Sequence, residues 1–530
     1  MFTTKTHNFI YLFALCNLVF GIMLGSSPTS VAQVLLLTNW VLEGDFLRKW
    51  QQLKQNILFW ILSSVFFIHL LGMFYSQDFW MAFHDLRTKL PLVLAPLVFF
   101  TSRPLKQKEL HYVFYSFLWG CFFNITWCLV YSFIIQHGLS VREVSRFMSH
   151  IRLGLFLNIA IAILTYLVFE IQNKYKKIIC FTLLIYFVSA LFILGLASGI
   201  ANFFCIAFFG IIYLFYKQKS RVKYTLVVIF IFLIGYSFLY LKDVYHQQLA
   251  IKQSLYNTIL EKSSTGNLYS HFDFEGQKEN GNYVLINIQL DELKREWNKQ
   301  MPTDSFCFKP QAHNLKIYEV LVRYLASKDL SKDSVGISNL SKTDKWNITH
   351  NITNFLYPDW PFIHKRLYEL VNEFDEYQNG RNLNGHSLTM RLYFWKAAWF
   401  IIKEHPIFGV GTGDVQSELN NTYIKTKSPL EPKWYKRPHN QFLTISVSLG
   451  LIGLFFFIFS LIYPLITLNK FLPILYWPFF ILAINSFILE DTLESQAGIS
   501  FLQALILCFY VLLILKNNKV FWINSRSVKP

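Results

Sequence analysis

Long apolar runs recur along this chain and limit what it can fold into more than any other feature. Most of them approach the ~20 residues that an α-helix needs to cross a bilayer core of about 30 Å. The runs show no two-residue alternation, which favours helices over a transmembrane barrel. The sequence therefore predicts an all-α polytopic membrane protein. Its twelve predicted spans are residues 8–25, 29–43, 57–75, 90–101, 110–135, 153–170, 178–196, 199–216, 224–241, 441–467, 473–489 and 498–515.

Composition and charge agree with this prediction. Hydrophobic residues make up 53% of the chain and charged residues only 15%. The net charge of +17 does not indicate nucleic-acid binding, because most basic residues lie in short loops between spans. With both termini in the cytoplasm, these basic loops fall inside, and the acidic loop with Glu490, Asp491 and Glu494 falls outside. Most cysteines lie in apolar runs, so no disulfide framework is expected.

The positions of the spans divide the chain into four parts. Residues 1–241 form a first bundle of about nine spans, and residues 441–516 form a second bundle of about three. Residues 517–530 form a cytoplasmic tail. The outer loop between the bundles, residues 242–440, is too long for a connector and must hold a domain of its own. Within it, residues 282–290 are predicted as a strand, and 315–330 and 360–377 as helices.

Two basic segments fall on the outer side, against the usual distribution of charge. One covers residues 141–152 and ends at Arg152, and the other covers residues 425–437 and ends at Arg437. Either the rule, which is statistical, fails here, or the segments form an anion site on the outer face. We favour the anion site, because an unpaired Arg152 at a membrane boundary would be costly.

Residues 389–405 are predicted to form an amphipathic helix. Trp395 and Trp399 follow Arg391 at helical spacing, so one face carries an arginine followed by aromatic rings. Pro406 ends the helix. A helix of this kind is expected to lie along the membrane surface. Its arginine either binds an anion or only extends to the interface as a structural group.

A glycine-rich turn and a histidine follow this helix. Gly409, Gly411 and Gly413 predict a tight turn that brings the backbone close to another element. His439 comes just before a predicted membrane helix. We expect nearby cations and the helix dipole to favour the neutral imidazole, which can accept a proton from a hydroxyl. The alternative is a solvated histidine at the membrane boundary.

Several catalytic classes lack their signatures in this sequence. It contains no Asp-x-Asp pair, no Walker loop, no His-Glu-x-x-His and no Cys/His spacing typical of a metal site. No metal and no cofactor are therefore predicted.

The order of these motifs resembles the O-antigen ligase and O-antigen polymerase superfamily. The landmarks are Arg-x-x-x-Trp from Arg391 to Trp395, His-Pro-x-x-Gly-x-Gly from His405 to Gly411, and His439-Asn440 before LGLIGL. LLGMFYSQD (70–78), LRTKLPLVLAPLVF (86–99) and HIRLGLFLNIA (150–160) resemble the third, fourth and sixth spans of the family. VLVRYLASKDLSKDSVGISNL (320–340) resembles an insertion of Bacteroidota-type members. The resemblance thus covers nearly the whole chain.

The resemblance implies a membrane glycosyltransferase (GT-C-like) fold in the bacterial inner membrane, with a periplasmic outer loop. Members transfer glycan from undecaprenyl diphosphate, ligases to lipid A–core and polymerases to a second carrier-linked repeat. Arg391 matches the arginine that holds diphosphate, and His439 matches the essential histidine, so both are predicted to be catalytic. The predicted substrate-binding residues are Arg152, Arg437, Trp395 and Asn440.

The chain departs from the family at one position. Members often carry Ser-Arg at the outer end of a middle span, where this chain has Ser198-Gly199. We expect Arg152 or Arg437 to supply the missing charge, or diphosphate recognition to differ.

Two other functional classes fit a chain of this kind. A transporter for lipid-linked sugars would have structural repeats and broken helices with polar groups at mid-membrane. A membrane-anchored assembly protein would tolerate substitution of Arg391 and His439. The clustering of candidate polar groups at the outer face favours the enzyme over the transporter.

Overall fold

The computed structural model of the protein describes residues 3–132, 145–217, 222–250, 254–272, 276–302, 317–380, 384–468 and 475–503. These residues are mostly helical, as predicted. The chain divides into two compact units, one formed by Met1–Tyr213 with Met390–Pro530 and the other by Leu214–Thr389. The division into two bundles, a periplasmic loop and a tail stays a prediction, and the tail lies outside the described residues.

Ten helices are described before residue 218. Asn56 shows how a break is made: its extended backbone ends one helix, and its side chain accepts the N–H groups of Leu58 and Phe59 at the start of the next. The helices are α1 (Thr4–Ile22), α2 (Ser26–Glu43), α3 (Phe46–Gln55), α4 (Ile57–Met73), α5 (Phe79–Lys89), α6 (Pro91–Thr101), α7 (Gln107–Val130), α8 (His150–Glu170), α9 (Lys174–Ile193) and α10 (Ala197–Lys217).

The second unit has a small apolar core of its own, centred on Leu293, Trp297 and Leu325. Its described elements are α11 (Val222–Leu249), β1 (Lys278–Glu279), β2 (Asn282–Tyr283), α12 (Leu290–Gln300), α13 (Ile317–Ser327), α14 (Ser334–Ser338), α15 (Lys342–Thr349) and α16 (Phe362–Gln378). The two strands pair antiparallel.

The predicted helices in this unit are confirmed by α13 and α16. The predicted strand at 282–290 is wrong beyond its first two residues. Asn287 has a φ of 54°, which breaks the extended conformation. Its side chain instead donates to the carbonyl groups of Tyr256 and Thr258 and holds a loop.

The last described helices are α17 (Thr389–Glu404), α18 (Val415–Lys425), α19 (Gln441–Leu468) and α20 (Tyr476–Leu489). As predicted, α17 ends immediately before His405-Pro406. Helices occupy eleven of the twelve predicted spans, and the twelfth, 498–515, lies mostly outside the described residues.

Fewer helices satisfy a strict test for a membrane span. Among the described residues, α7, α8, α9 and Gln441–Ile466 of α19 are long and apolar enough to cross a membrane. Helices α3 and α4 make a fifth candidate if they count as one span, although an 89° bend separates them. The fold is thus that of a helical protein with several apolar helices suited to a membrane, and the count of twelve spans stays a prediction.

The glycine-rich turn packs against a kink in α19, as the sequence predicted. The N–H groups of Val410 and Gly411 donate to the carbonyl groups of Val447 and Ser448, which lie just before the kink at Gly450. A Cβ at Gly409, where φ is 68°, would lie 2.5 Å from the Ser448 backbone, so only glycine fits.

Asp414, at the end of this turn, accepts the N–H groups of Gln77 and Asp78 at 2.7 and 2.9 Å. The turn therefore ties α19 to the junction of α4 and α5, and so fixes the two elements that carry parts of the site described below.

Candidate active site

His439 lies among basic and acidic side chains that five segments of the first unit bring together. These segments are α5, the start of α8, α17, the residues before α19, and the loop from Glu490 to Ser495. The basic side chains are Lys89, Arg152, Arg391 and Arg437, and the acidic ones are Asp85, Glu490, Asp491 and Glu494. The formal charges of this group cancel when His439 is neutral.

The backbone of His439 has a φ of 49°, in the left-handed region that side-chain-bearing residues rarely adopt. Its Nδ1 atom lies 3.3 Å from Oε2 of Glu490 and 3.9 Å from Oδ2 of Asp491. The ring packs beside Phe394, with the ring centroids 5.8 Å apart. Backbone strain of this kind persists only where the surrounding structure enforces it, and it concentrates at functional sites.

Asp491 enforces the conformation of His439. Its carboxylate accepts the backbone N–H groups of His439 and Asn440, at 2.9 and 3.1 Å, and the hydroxyl of Thr444. Burial raises the pKa of Asp491 above its ordinary value, against the opposing effect of the Thr444 hydrogen bond. Asp491, in the loop after α20, thus caps the N-terminus of α19 and holds the backbone of His439, two residues before that helix.

Arg437 takes part in a buried ion-pair network with Glu494 and Lys89. The Lys89 amine, which is fully buried, donates to Glu494 at 2.9 Å and to Asp85 at 2.6 and 2.7 Å. Arg437 forms an ion pair with the same Glu494 carboxylate. Burial alone would raise the pKa of Glu494, but the Lys89 and Arg437 cations outweigh it and hold that pKa well below its usual range. Burial raises the pKa of Asp85 to about 6.

Arg391 and Arg152 are held much less tightly. The Arg391 guanidinium has a single acceptor among the described residues, Oε1 of Glu490, at 3.4 Å. Arg152 donates to the hydroxyl of Ser495. Arg152 and Glu490 line one cleft, together with Ser149 and Thr492. A guanidinium carries five N–H donors, so both arginines keep donors for an anionic ligand.

The two remaining predicted site residues position the backbone. The Trp395 indole N–H donates to the carbonyl of Pro438 at 3.0 Å, directly before His439. Asn440 accepts the N–H of Leu443 at 3.1 Å and donates to the carbonyl of Ile488 at 3.2 Å, so it joins the start of α19 to the end of α20. Their predicted substrate contacts stay predictions.

The structure explains why no arginine stands at Gly199. A Cβ at this position would lie 2.8 Å from Cα of Gly154, because α8 and α10 cross there in direct backbone contact. The Asn158 side chain stabilises this contact between the helices by donating hydrogen bonds of 2.8 Å to the carbonyl groups of both glycines. Arg152, two residues before Gly154 on α8, is the arginine that this part of the chain brings to the site.

Sequence reasoning missed the acidic half of the site. It used Glu490, Asp491 and Glu494 only to orient the chain in the membrane, and it did not single out Asp85 or Lys89. The expectation that nearby cations favour a neutral His439 left out two carboxylates, those of Glu490 and Asp491, which lie 3.3 and 3.9 Å from its Nδ1 atom. One sequence signal could have revealed these acidic residues. Glu490, Asp491 and Glu494 directly follow the predicted span 473–489, and they are predicted to lie on the same outer side of the membrane as the two basic segments.

Comparison with known protein families identifies part of this site. Residues 348–458 match a family model described as O-Antigen ligase. The matched range includes Arg391, Trp395, Arg437, His439 and Asn440, whereas Arg152 and the acidic loop lie outside it. No curated protein matches the chain.

Proposed function

Residues 348–458 match the O-antigen ligase family model, and we propose that the chain is an O-antigen ligase of the O-antigen ligase and polymerase superfamily. In this proposal it moves glycan from undecaprenyl diphosphate to lipid A–core on the periplasmic face of the bacterial inner membrane. Both termini are cytoplasmic, and the large outer loop is periplasmic. The observation that carries the proposal is the strained His439, with a carboxylate at Nδ1 and two loosely held arginines nearby.

His439 serves as the general base for the acceptor hydroxyl. When Glu490 accepts a hydrogen bond from Nδ1–H, the proton stays on Nδ1 and the lone pair is on Nε2. Nε2 then takes the proton of the attacking hydroxyl. Asp491 fixes the backbone of His439, so the ring presents this nitrogen in one orientation.

Arg391 and Arg152 stabilise the leaving group. The hydroxyl oxygen bonds to the anomeric carbon from the face opposite the diphosphate, and the electron pair of the broken bond goes to a diphosphate oxygen. Guanidinium groups can bind the charge that develops there in bidentate fashion. Attack from the opposite face inverts the anomeric centre. The donor bond is already activated and these cations supply the charge stabilisation, so the proposed transfer is metal-independent.

Arg437 has a different role from the other two arginines. It is engaged with Glu494 in the buried network, and releasing it would leave that carboxylate with one cation fewer. We therefore assign the missing family arginine to Arg152 rather than Arg437.

The acceptor decides between ligase and polymerase, since the same base and arginines serve either hydroxyl. The purified protein in nanodiscs is supplied with undecaprenyl-diphosphate-linked glycan, with and without rough lipopolysaccharide, and the glycan products are separated by gel. Glycan on lipid A–core supports the ligase. Lengthened carrier-linked glycan without lipopolysaccharide makes the protein a polymerase. Absence of both products, under conditions where an established ligase is active, would refute the proposal.

Asp491→Asn is expected to lower kcat by about 10- to 100-fold and to leave the donor KM nearly unchanged. The amide has one acceptor oxygen where the carboxylate has two, so it cannot hold both N–H groups and His439 loses its fixed backbone. Initial rates over a range of donor concentrations measure both constants. The control is Asp291→Asn, at an exposed position of the second unit. An Asp491→Asn enzyme with an unchanged kcat would contradict the assigned role.

A further inference from the structure

The site carries as many acidic as basic groups, which raises a difficulty for binding an anion. A diphosphate would enter a cluster in which the charges of four arginine and lysine side chains are already balanced by four carboxylates. Like charges a few Å apart repel strongly where water is partly excluded. At least one carboxylate must therefore give up its cations when a diphosphate binds.

Three of the four carboxylates are firmly held. Asp85 receives two hydrogen bonds of 2.6 and 2.7 Å from Lys89. Glu494 is shared by Lys89 and Arg437 and is buried with them. Asp491 caps α19 through two backbone N–H groups. Releasing any of these would break short hydrogen bonds in a buried environment, which is costly.

Glu490 is the exception. Its two contacts to charged or ionisable side chains are long for hydrogen bonds, 3.4 Å to Arg391 and 3.3 Å to His439. Among the described residues, no backbone N–H donates to its carboxylate, and its side chain is 24% exposed. It also lines the cleft that Arg152 lines. Glu490 is therefore the carboxylate that can move at least cost. It contacts Arg391 and lines the same cleft as Arg152, the two arginines that keep free donors.

We propose that Glu490 occupies the place of a diphosphate oxyanion beside Arg391 when no donor is bound and yields Arg391 to the diphosphate when the donor binds. This inference rests on the proposed function and deepens it. Carboxylate and phosphate oxygens both accept hydrogen bonds from guanidinium, so one can replace the other without change at Arg391. Glu490 keeps its second contact, to Nδ1 of His439, and so continues to orient the base when the leaving group is bound.

This exchange predicts effects of opposite sign on binding and on catalysis. Glu490→Gln removes the competing negative charge and keeps the size of the side chain. We expect the dissociation constant for a polyprenyl diphosphate to fall by about tenfold. We expect kcat for glycan transfer to fall by about 10- to 100-fold, because an amide orients Nδ1–H less strongly than a carboxylate does. A residue with only a structural role would not tighten binding when it is replaced.

Binding to the protein in nanodiscs is measured by calorimetry with farnesyl diphosphate, and separately with inorganic pyrophosphate to isolate the headgroup. The variants are Glu490→Gln, Glu490→Asp, Arg391→Ala and, as a matched loss of one negative charge, Glu404→Gln at an exposed position on α17. Tighter binding in Glu490→Gln alone, with Glu490→Asp near the wild type, supports the exchange.

Two other outcomes separate the inference from the proposed function. Binding that depends on Arg391 but is unchanged or weaker in Glu490→Gln overturns the exchange and leaves the diphosphate site in place. Binding that is absent in the wild type, or equal in the wild type and Arg391→Ala, overturns the diphosphate site and the exchange together.

Discussion

His439→Ala is expected to lower kcat for glycan transfer by about 10²–10⁴-fold, the contribution of a positioned general base. The acceptor hydroxyl loses the group that takes its proton, while the arginines that bind the diphosphate are untouched. The donor KM should therefore change by less than about threefold. Initial rates of transfer in nanodiscs, with quantified glycan product, measure both constants.

A histidine elsewhere in the same unit provides the control for this variant. His84→Ala removes an exposed imidazole from α5 and should retain the wild-type rate. A His439→Ala enzyme with more than about a third of the wild-type kcat would exclude His439 as the base.

Arg391→Ala is expected to lower kcat/KM by about 10²–10³-fold, because the diphosphate loses a fixed guanidinium that stabilises its developing charge. Arg391→Lys keeps the charge but not the planar pair of donors, and we expect it to recover only part of the loss. The donor KM should rise in both variants, in contrast to His439→Ala. Steady-state rates over a range of donor concentrations distinguish the two patterns.

The same helix offers a matched control for Arg391. Lys403, in the last turn of α17, lies over the exposed Trp399 ring, and Lys403→Ala should leave kcat/KM within about twofold of the wild type. Equal losses in Arg391→Ala and Lys403→Ala would indicate that general positive charge on α17 matters, rather than a specific diphosphate contact.

The helical fold could be predicted because apolar runs of span length leave few alternatives to a helix. The end of α17 at His405-Pro406 and the close packing of the glycine turn were also predictable, since proline and glycine act through local backbone geometry. The strand at 282–290 was not, because side-chain hydrogen bonds of Asn287 override the local preference for an extended chain.

The site was only half predictable for a related reason. Arg391 and His439 stand in recognisable local patterns, and the structure brings both to Glu490. Glu490 and Asp491 lie about fifty residues beyond His439 in the chain, and Lys89 and Glu494 are 405 residues apart. Pairings at such separations depend on how the helices pack, which no periodicity within one segment reveals.

Catalysis of glycan transfer by His439 is tested by the amount of undecaprenyl diphosphate released for each glycan attached to lipid A–core, in the wild type and in His439→Ala. The reaction contains purified protein in nanodiscs, carrier-linked glycan, rough lipopolysaccharide and a chelator. We predict one undecaprenyl diphosphate per glycan in the wild type, and release reduced by at least about a hundredfold in the variant. Release that does not match attachment, or a variant with the wild-type rate, would contradict the account.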